Sequence, residues 1–244
     1  MVISSFENDP KLADCERSIA AQSGSHNVKT IVTKGSGYAD RQSGWSSAPF
    51  GVVVFLDSDC ELPDSNYLNM IALFFEEAGT KNCLAGSYIS RENLSYLKAA
   101  YNNLCASWVA MPYAARSASE FGNRLLGGVF ALVKSEQNQN LSFAPVWGGE
   151  ESLIVSELKK FDIQVCFDSR FSVYHNPSVN FRKTLKRAWA HGVGRAADED
   201  SKMSAPNRSL IRYWIQATPL KYWPAQALHF SVLILARLSK RVVD

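Results

Sequence analysis

Residues 51–63 read GVVVFLDSDCELP: five apolar residues in a row, Val52 to Leu56, followed by Asp57-Ser58-Asp59. A continuous, β-branched run of this length suits a strand buried on both faces. The acidic triplet then falls at the carboxyl end of that strand, the edge at which open α/β sheets bind ligands. Working back toward the N-terminus, VISSF (2–6) is a short β-prone segment. DPKLADCERSIAAQ (9–22) carries a helical stripe of Leu12, Cys15, Ile19 and Ala20, and VKTIVT (28–33) is a second strand. KGSG (34–37) is a turn, and residues 39–48 form a short helix that runs into the buried strand. Strand, helix, strand, helix, strand with short connections predicts a Rossmann-like, mostly parallel sheet with right-handed crossovers and flanking helices.

Working forward, residues 63–79 and 94–111 read as helices, GGVFALV (127–133) as a strand led by two glycines, and residues 150–161 as an amphipathic helix. IQVCF (163–167) and FSVYH (171–175) read as a closing pair of strands. From Phe181 onward the pattern changes to basic amphipathic helices, so the chain divides into an α/β domain, 1–178, and a helical extension, 179–244. With 244 residues, 46% apolar and 20% charged, and only 14 Gly and 9 Pro, the composition is that of a folded globular chain. Its five cysteines are scattered without a C-x-x-C pair, and no signal-like apolar run opens the chain, which predicts reduced thiols in a cytoplasmic protein.

Charge is unevenly placed. Residues 1–175 carry 14 Lys+Arg against 19 Asp+Glu, whereas residues 176–244 carry 12 against 4. With Trp189, Trp214 and Trp223 interleaved, this tail predicts contact with an anionic membrane surface, peripheral on the inner face of the cytoplasmic membrane. The uncharged run from Tyr222 to Ala236 is too short for the ~20 apolar residues of a membrane span. No nucleic-acid-binding motif accompanies the charge, so no nucleic-acid partner is expected.

Three clusters could carry chemistry. Asp57 and Asp59, one residue apart, can meet a hard divalent cation directly or through its water and leave its other positions to phosphate oxygens; on its own the same triplet is an ordinary strand exit. Trp147-Gly148-Gly149-Glu150-Glu151 opens a helix, where the free N–H groups favour acids and also keep a carboxylate ionised as a general base. Tyr174-His175-Asn176 ends the last strand, and a lone histidine is more often a structural hydrogen-bonder than a ligand. Neither a G-x-G-x-x-G nor a G-x-x-x-x-G-K-[ST] is present, which removes the dinucleotide and P-loop fingerprints.

Taken together, FLDSDCELP (55–63), GGVFALVK (127–134), WGGEESLIVSELKKFDIQVCFDSRFSVYHN (147–176) and the basic helices after them resemble the family-2 glycosyltransferases of the GT-A fold. The resemblance implies a metal-dependent inverting transfer of a sugar from a nucleotide-sugar, a UDP-sugar first among them, to a hydroxyl acceptor. That acceptor is a saccharide or a lipid-linked one, as in bacterial surface polysaccharide or glycolipid synthesis. It assigns Asp59 as the direct metal ligand, Asp57 to the ribose and the metal water, and His175 as the late histidine completing the shell around Mn or Mg. It places Gly127, Gly128 and Trp147 on the acceptor side, and Arg41, within Ala39-Asp40-Arg41-Gln42-Ser43-Gly44, at the donor. Glu151 stands where the family has an Asp base, a side chain longer by ~1.5 Å, with Glu150 beside it. Arg187 or Arg195 would add a second cation, although solvated helix-face charge is the plainer reading. The first 35 residues depart from the family by one strand and helix, leaving Glu7, Asp9 or no residue for the nucleobase-contacting acid. An inactive GT-A binding or scaffold domain with a degenerate donor site is therefore the alternative. A nucleotidyltransferase lacks its early Gly-rich loop here, and a glycosidase does not need a metal-type acidic pair.

Overall fold

A computed structural model describes residues 1–5, 9–24, 27–34, 38–114, 124–143, 150–196 and 215–243. The first third alternates as expected: β1 (Val2–Ser5), α1 (Leu12–Ala20), β2 (Ile31–Lys34), α2 (Tyr38–Ser47) and β3 (Gly51–Asp57). β1 pairs in parallel with both β2 and β3, with Val2 opposite Ile31 on one side and Phe55 on the other. Val53 to Leu56 are buried, as the uninterrupted apolar run requires. α1 presses Cys15 and Ile19, one turn apart, into the core.

The remainder of the α/β unit comprises β4 (Cys60–Glu61), α3 (Tyr67–Ala78), β5 (Asn82–Ile89), α4 (Tyr96–Ala114), β6 (Val129–Lys134), α5 (Glu150–Lys160) and β7 (Gln164–His175). The seven strands form one sheet in the order β2-β1-β3-β6-β5-β7-β4. β6 runs antiparallel between β3 and β5, and β4 antiparallel along β7; the other five strands share one direction. The sheet is thus the mostly parallel one that the sequence predicts.

Two strand assignments differ from the sequence reading. The expected pair at 163–167 and 171–175 is one continuous strand, β7, which crosses a register irregularity opposite Ala85 and Ser87. The polar Asp168-Ser169-Arg170 looks like a turn but stays extended, its Asp168–Arg170 ion pair (2.6 Å) lying on the exposed part of the strand. β5, with six consecutive buried residues, has no counterpart in the sequence reading, because Gly86 and Ser87 interrupt its apolar pattern. Gly86 is required there by close approach: a methyl group on it would run into the Phe171 carbonyl of β7.

Aromatic rings fill both faces of the sheet. Phe55 stacks on Phe130 (centroids 4.5 Å apart) and packs against Phe143 (5.3 Å), while Tyr67 stacks on Phe171 (5.2 Å). The buried Lys134 donates to the carbonyls of Trp45 (2.5 Å), Ser46 (3.2 Å) and Ala48 (2.7 Å), capping the C-terminal end of α2. All five thiols are free. Beyond β7 come α6 (Phe181–Ala196), a single 3₁₀ turn (Leu220–Tyr222) and α7 (Trp223–Val243), which packs along α6 and reaches α4. Among the described residues no helix is long and apolar enough to cross a membrane.

Candidate active site

The acidic triplet leaves β3 in an extended path held on both sides. Asp57 N–H donates to the Gly128 carbonyl (3.2 Å), Ser58 N–H to that of Ser4 (2.9 Å), and Asn176 N–H to that of Asp59 (2.9 Å). Alternation then sends Ser58 away from its neighbours, its buried hydroxyl donating to the Asp9 carboxylate. Asp9 is thereby committed to a hydroxyl of the fold. Immediately afterwards β4 sets Cys60 opposite His175 on β7, which brings Asp59 beside an imidazole 116 positions further along the chain.

Asp57 and Asp59 lead to two adjoining arrangements. The Asp57 carboxylate, one third exposed (33%), accepts from Nη2 of the buried Arg41 (2.9 Å), whose Nε donates to the Gly127 carbonyl (2.9 Å). Gly128 must lack a side chain, since a methyl group there would overlap both the Asp57 carboxylate and the Tyr88 hydroxyl. Arg41, Asp57, Gly127, Gly128 and Glu151 line one cleft of about 160 Å³. α4 supplies Tyr101, Cys105 and Trp108 to its wall, and α7 supplies His229, Phe230 and Leu233.

Asp59 pairs instead with His175, Oδ1 to Nε2 at 3.4 Å, and its other oxygen lies 3.8 Å from Lys11 Nζ. Lys11 is fixed by the Asn176 carbonyl (2.5 Å) and the Ser178 hydroxyl (2.6 Å). His175 Nδ1–H donates to Asn102 Oδ1 (2.6 Å), while Asn102 Nδ2 donates to the His175 carbonyl (2.7 Å) and to Ser90 Oγ (3.1 Å). The Asn102 amide is thereby oriented and holds a proton on Nδ1, so that Nε2 is the ring nitrogen that faces Asp59. Burial, the largest influence on Asp59, pushes its carboxyl up. The charge and hydrogen bond of His175, with the cations of Lys11 and Arg187, outweigh burial and hold it below the ordinary carboxylate range. The two arrangements meet through Tyr88, which lines the cleft and stacks on His175 with centroids 3.9 Å apart.

These positions can be tested as a cation site. Asp59, Cys60 and His175 each bring one donor atom within 4.8 Å of the others. Adjacent donors of a six-coordinate ion with ~2.1 Å bonds lie ~3.0 Å apart, so the carboxylate and imidazole at 3.4 Å fit with little movement. The Cys60 thiol does not fit: burial raises its pKa well above the usual value and its Sγ donates to the Gly128 carbonyl (3.8 Å). A carboxylate with a neutral imidazole suits Mn²⁺ better than Mg²⁺. Asp57 is outside this group of donors, being bonded to Arg41.

Of the remaining sequence candidates, Glu7 and Trp147 lie outside the described residues. Glu150 is the first residue of α5, but its side chain, like that of Arg195, is outside them too. Arg187 is a half-buried residue whose guanidinium sits 5.2 Å from the centre of the Tyr101 ring, not a solvated helix-face charge. Lys11, Tyr88, Tyr101, Asn102 and the α7 residues were not legible as site residues. The one available signal was the adjacent pair Asn102-Asn103, polar at the middle of a helix rich in apolar and aromatic residues.

No protein-family model matches the sequence, and no curated protein matches it. Solved structures do match its shape. The mannosyltransferase PcManGT from Pyrobaculum calidifontis, in complex with GDP-Man and Mn²⁺, aligns at a TM-score of 0.55 and 13% identity, covering 99% of this chain and 75% of that one. A mycobacterial protein aligns at 0.50 and 15% identity, over 78% of this chain and 71% of that one. S. aureus TarS 1–349 in complex with UDP-GlcNAc aligns at 0.49 and 12% identity, over 100% and 93%. At such identities the likeness shows the fold, which is GT-A-like.

Proposed function

We propose that this chain is a glycosyltransferase that moves a sugar from a nucleotide-sugar donor to a hydroxyl acceptor with inversion. One observation carries the reading: Asp57, Arg41, Gly127, Gly128 and Glu151, from four separate parts of the sequence, face a single cleft at the carboxyl edge of a GT-A-like sheet. The nucleotide-sugar complex of the mannosyltransferase with this fold supports it. In this reading residues 1–178 form the catalytic domain and 179–244 an extension that closes the cleft.

Glu151 takes the proton of the acceptor hydroxyl while that oxygen attacks the anomeric carbon, and the bond to the donor diphosphate breaks on the opposite face. Asp59 and His175, with Asp57 nearby, would hold Mn²⁺ or Mg²⁺, whose Lewis acidity neutralises charge on the departing diphosphate. Arg41 fixes the Asp57 carboxylate toward the donor. Arg187, above Tyr101, adds a cation to the same side of the cleft. The glycine pair, with Trp147 and Glu150 as accessory positions, borders the acceptor. A UDP-sugar as donor, a saccharide or lipid-linked acceptor in surface polysaccharide or glycolipid synthesis, and a place at the cytoplasmic face of the membrane complete the proposal.

The second reading, a domain that binds the donor without turnover, is favoured by Lys11, a fixed cation already facing Asp59. Glu151→Gln separates the two. The variant is expected to retain the thermal shift produced by nucleotide-sugar and Mn²⁺ but to lose about 10²- to 10⁴-fold in nucleoside diphosphate release. Undiminished release in the variant would remove Glu151 as the base, and no release from the parent chain with any nucleotide-sugar would favour the second reading.

A further inference from the structure

Among its described residues, the outer face of α7 carries no charge. Pro224, Ala227, Leu228, Ser231 and Leu235 recur at i, i+3, i+4, i+7 and i+11, one side of a helix, and every one of them is exposed. Ile234 adjoins this stripe and is exposed as well, and Leu235 stands 60% open. Just upstream, Leu220 is 74% open. The opposite face, through Gln226, His229, Leu233 and Ala236, is buried against the rest of the molecule. A helix at a water-exposed surface ordinarily turns a charged side outward; one that is uncharged on both sides is covered on both.

Charge around the stripe identifies what covers it. Lys221 precedes the helix, and Arg237, Lys240 and Arg241 occupy its last turns. On α6, packed along α7, the exposed residues among those whose side chains are described are Phe181, Arg182, Lys183, Lys186 and Trp189, two aromatic rings among three cations, with Trp189 47% open. An uncharged, leucine-bearing stripe with flanking cations and half-exposed aromatic rings is the composition of a helix lying in the headgroup region of an anionic bilayer. The basic end of α7 keeps it from crossing. We propose that the outer face of α7, flanked by the basic face of α6, is the surface on which this protein docks to an anionic lipid bilayer. Because the inner face of the same helix lines the cleft with Phe230 and Leu233, docking sets the cleft against the membrane surface, within reach of an acceptor sugar borne on a lipid. That last consequence rests on the transferase reading; the docking itself does not.

Cosedimentation of the full chain with vesicles tests it. The parent protein is expected to pellet with phosphatidylcholine–phosphatidylglycerol vesicles, weakly with phosphatidylcholine alone, and less as salt rises. Leu228→Glu/Leu235→Glu, at exposed positions that leave the core intact, should lower partitioning about tenfold or more, and Lys183→Glu/Lys186→Glu should do the same through charge. Glu151→Gln should pellet like the parent, so that loss of turnover and loss of docking are read separately. Absence of binding to anionic vesicles, or unchanged partitioning of the leucine variant with circular dichroism intact, overturns the proposal. So does a concentration-dependent dimer in light scattering that the leucine variant dissolves, since a second copy would then be the cover.

Discussion

Asn102 shows how much of the site depends on a residue with no chemistry of its own. It accepts from one ring nitrogen of His175 and donates to the carbonyl of the same residue, so the imidazole can neither flip nor change tautomer without breaking a buried bond. Asn102→Ala is expected to weaken Mn²⁺ binding by about 10- to 100-fold in calorimetry, and Asn102→Asp, which keeps the acceptor, to restore part of it. An unchanged affinity in the alanine variant would mean that Asp59 and His175 do not depend on this support. The sequence displayed Asp57, Asp59, Glu151 and His175 because each sits at a strand or helix end, where pattern breaks are visible. Asn102 sits in mid-helix, where only the partner across the sheet edge gives an asparagine its meaning. Arg41 was visible through its neighbours, but its bond to Asp57 depends on how α2 lies over β3.

The secondary elements were legible in proportion to how far their own pattern dominates. β3 announces itself by apolar continuity, α1 by its four-residue spacing. β5 and the middle of β7 escape because Gly86 and Asp168-Ser169-Arg170 imitate turns, while pairing with neighbours keeps both extended. Lys134 ends β6 and closes α2, so its role belongs to the join between two elements. Replacing it by methionine removes a charged donor from three carbonyls, and at Trp45 and Ala48 the bond lost is a buried one. Lys134→Met should cost about 2–3 kcal/mol in urea unfolding. Loss of under about 0.5 kcal/mol would show that water replaces the ammonium there.

For the molecule entire, the buried thiols and phenols set an alkaline limit. Burial pushes the Cys15 thiol up to about 12 and raises Cys60 and Tyr67 well above their usual values. These groups stay protonated in the native state when the unfolded chain has begun to release their protons. The unfolded state therefore binds fewer protons as pH rises past the ordinary thiol range, and stability must fall there. The melting temperature should decline steadily above about pH 8.5, and Cys15 and Cys60 should resist alkylation until the chain opens. A flat profile to strongly alkaline pH would mean that these groups are already solvated in the native state. The two-residue strand β4 has a different reach. Two rungs, Cys60 against His175 and Glu61 against Tyr174, set the register between the acidic triplet and the imidazole. Lengthening or shortening the chain anywhere between Leu56 and Glu61 by one residue would turn Asp59 inward and present its neighbour. Natural variation in length should accordingly be tolerated around residues 90–95, and be absent from these six positions.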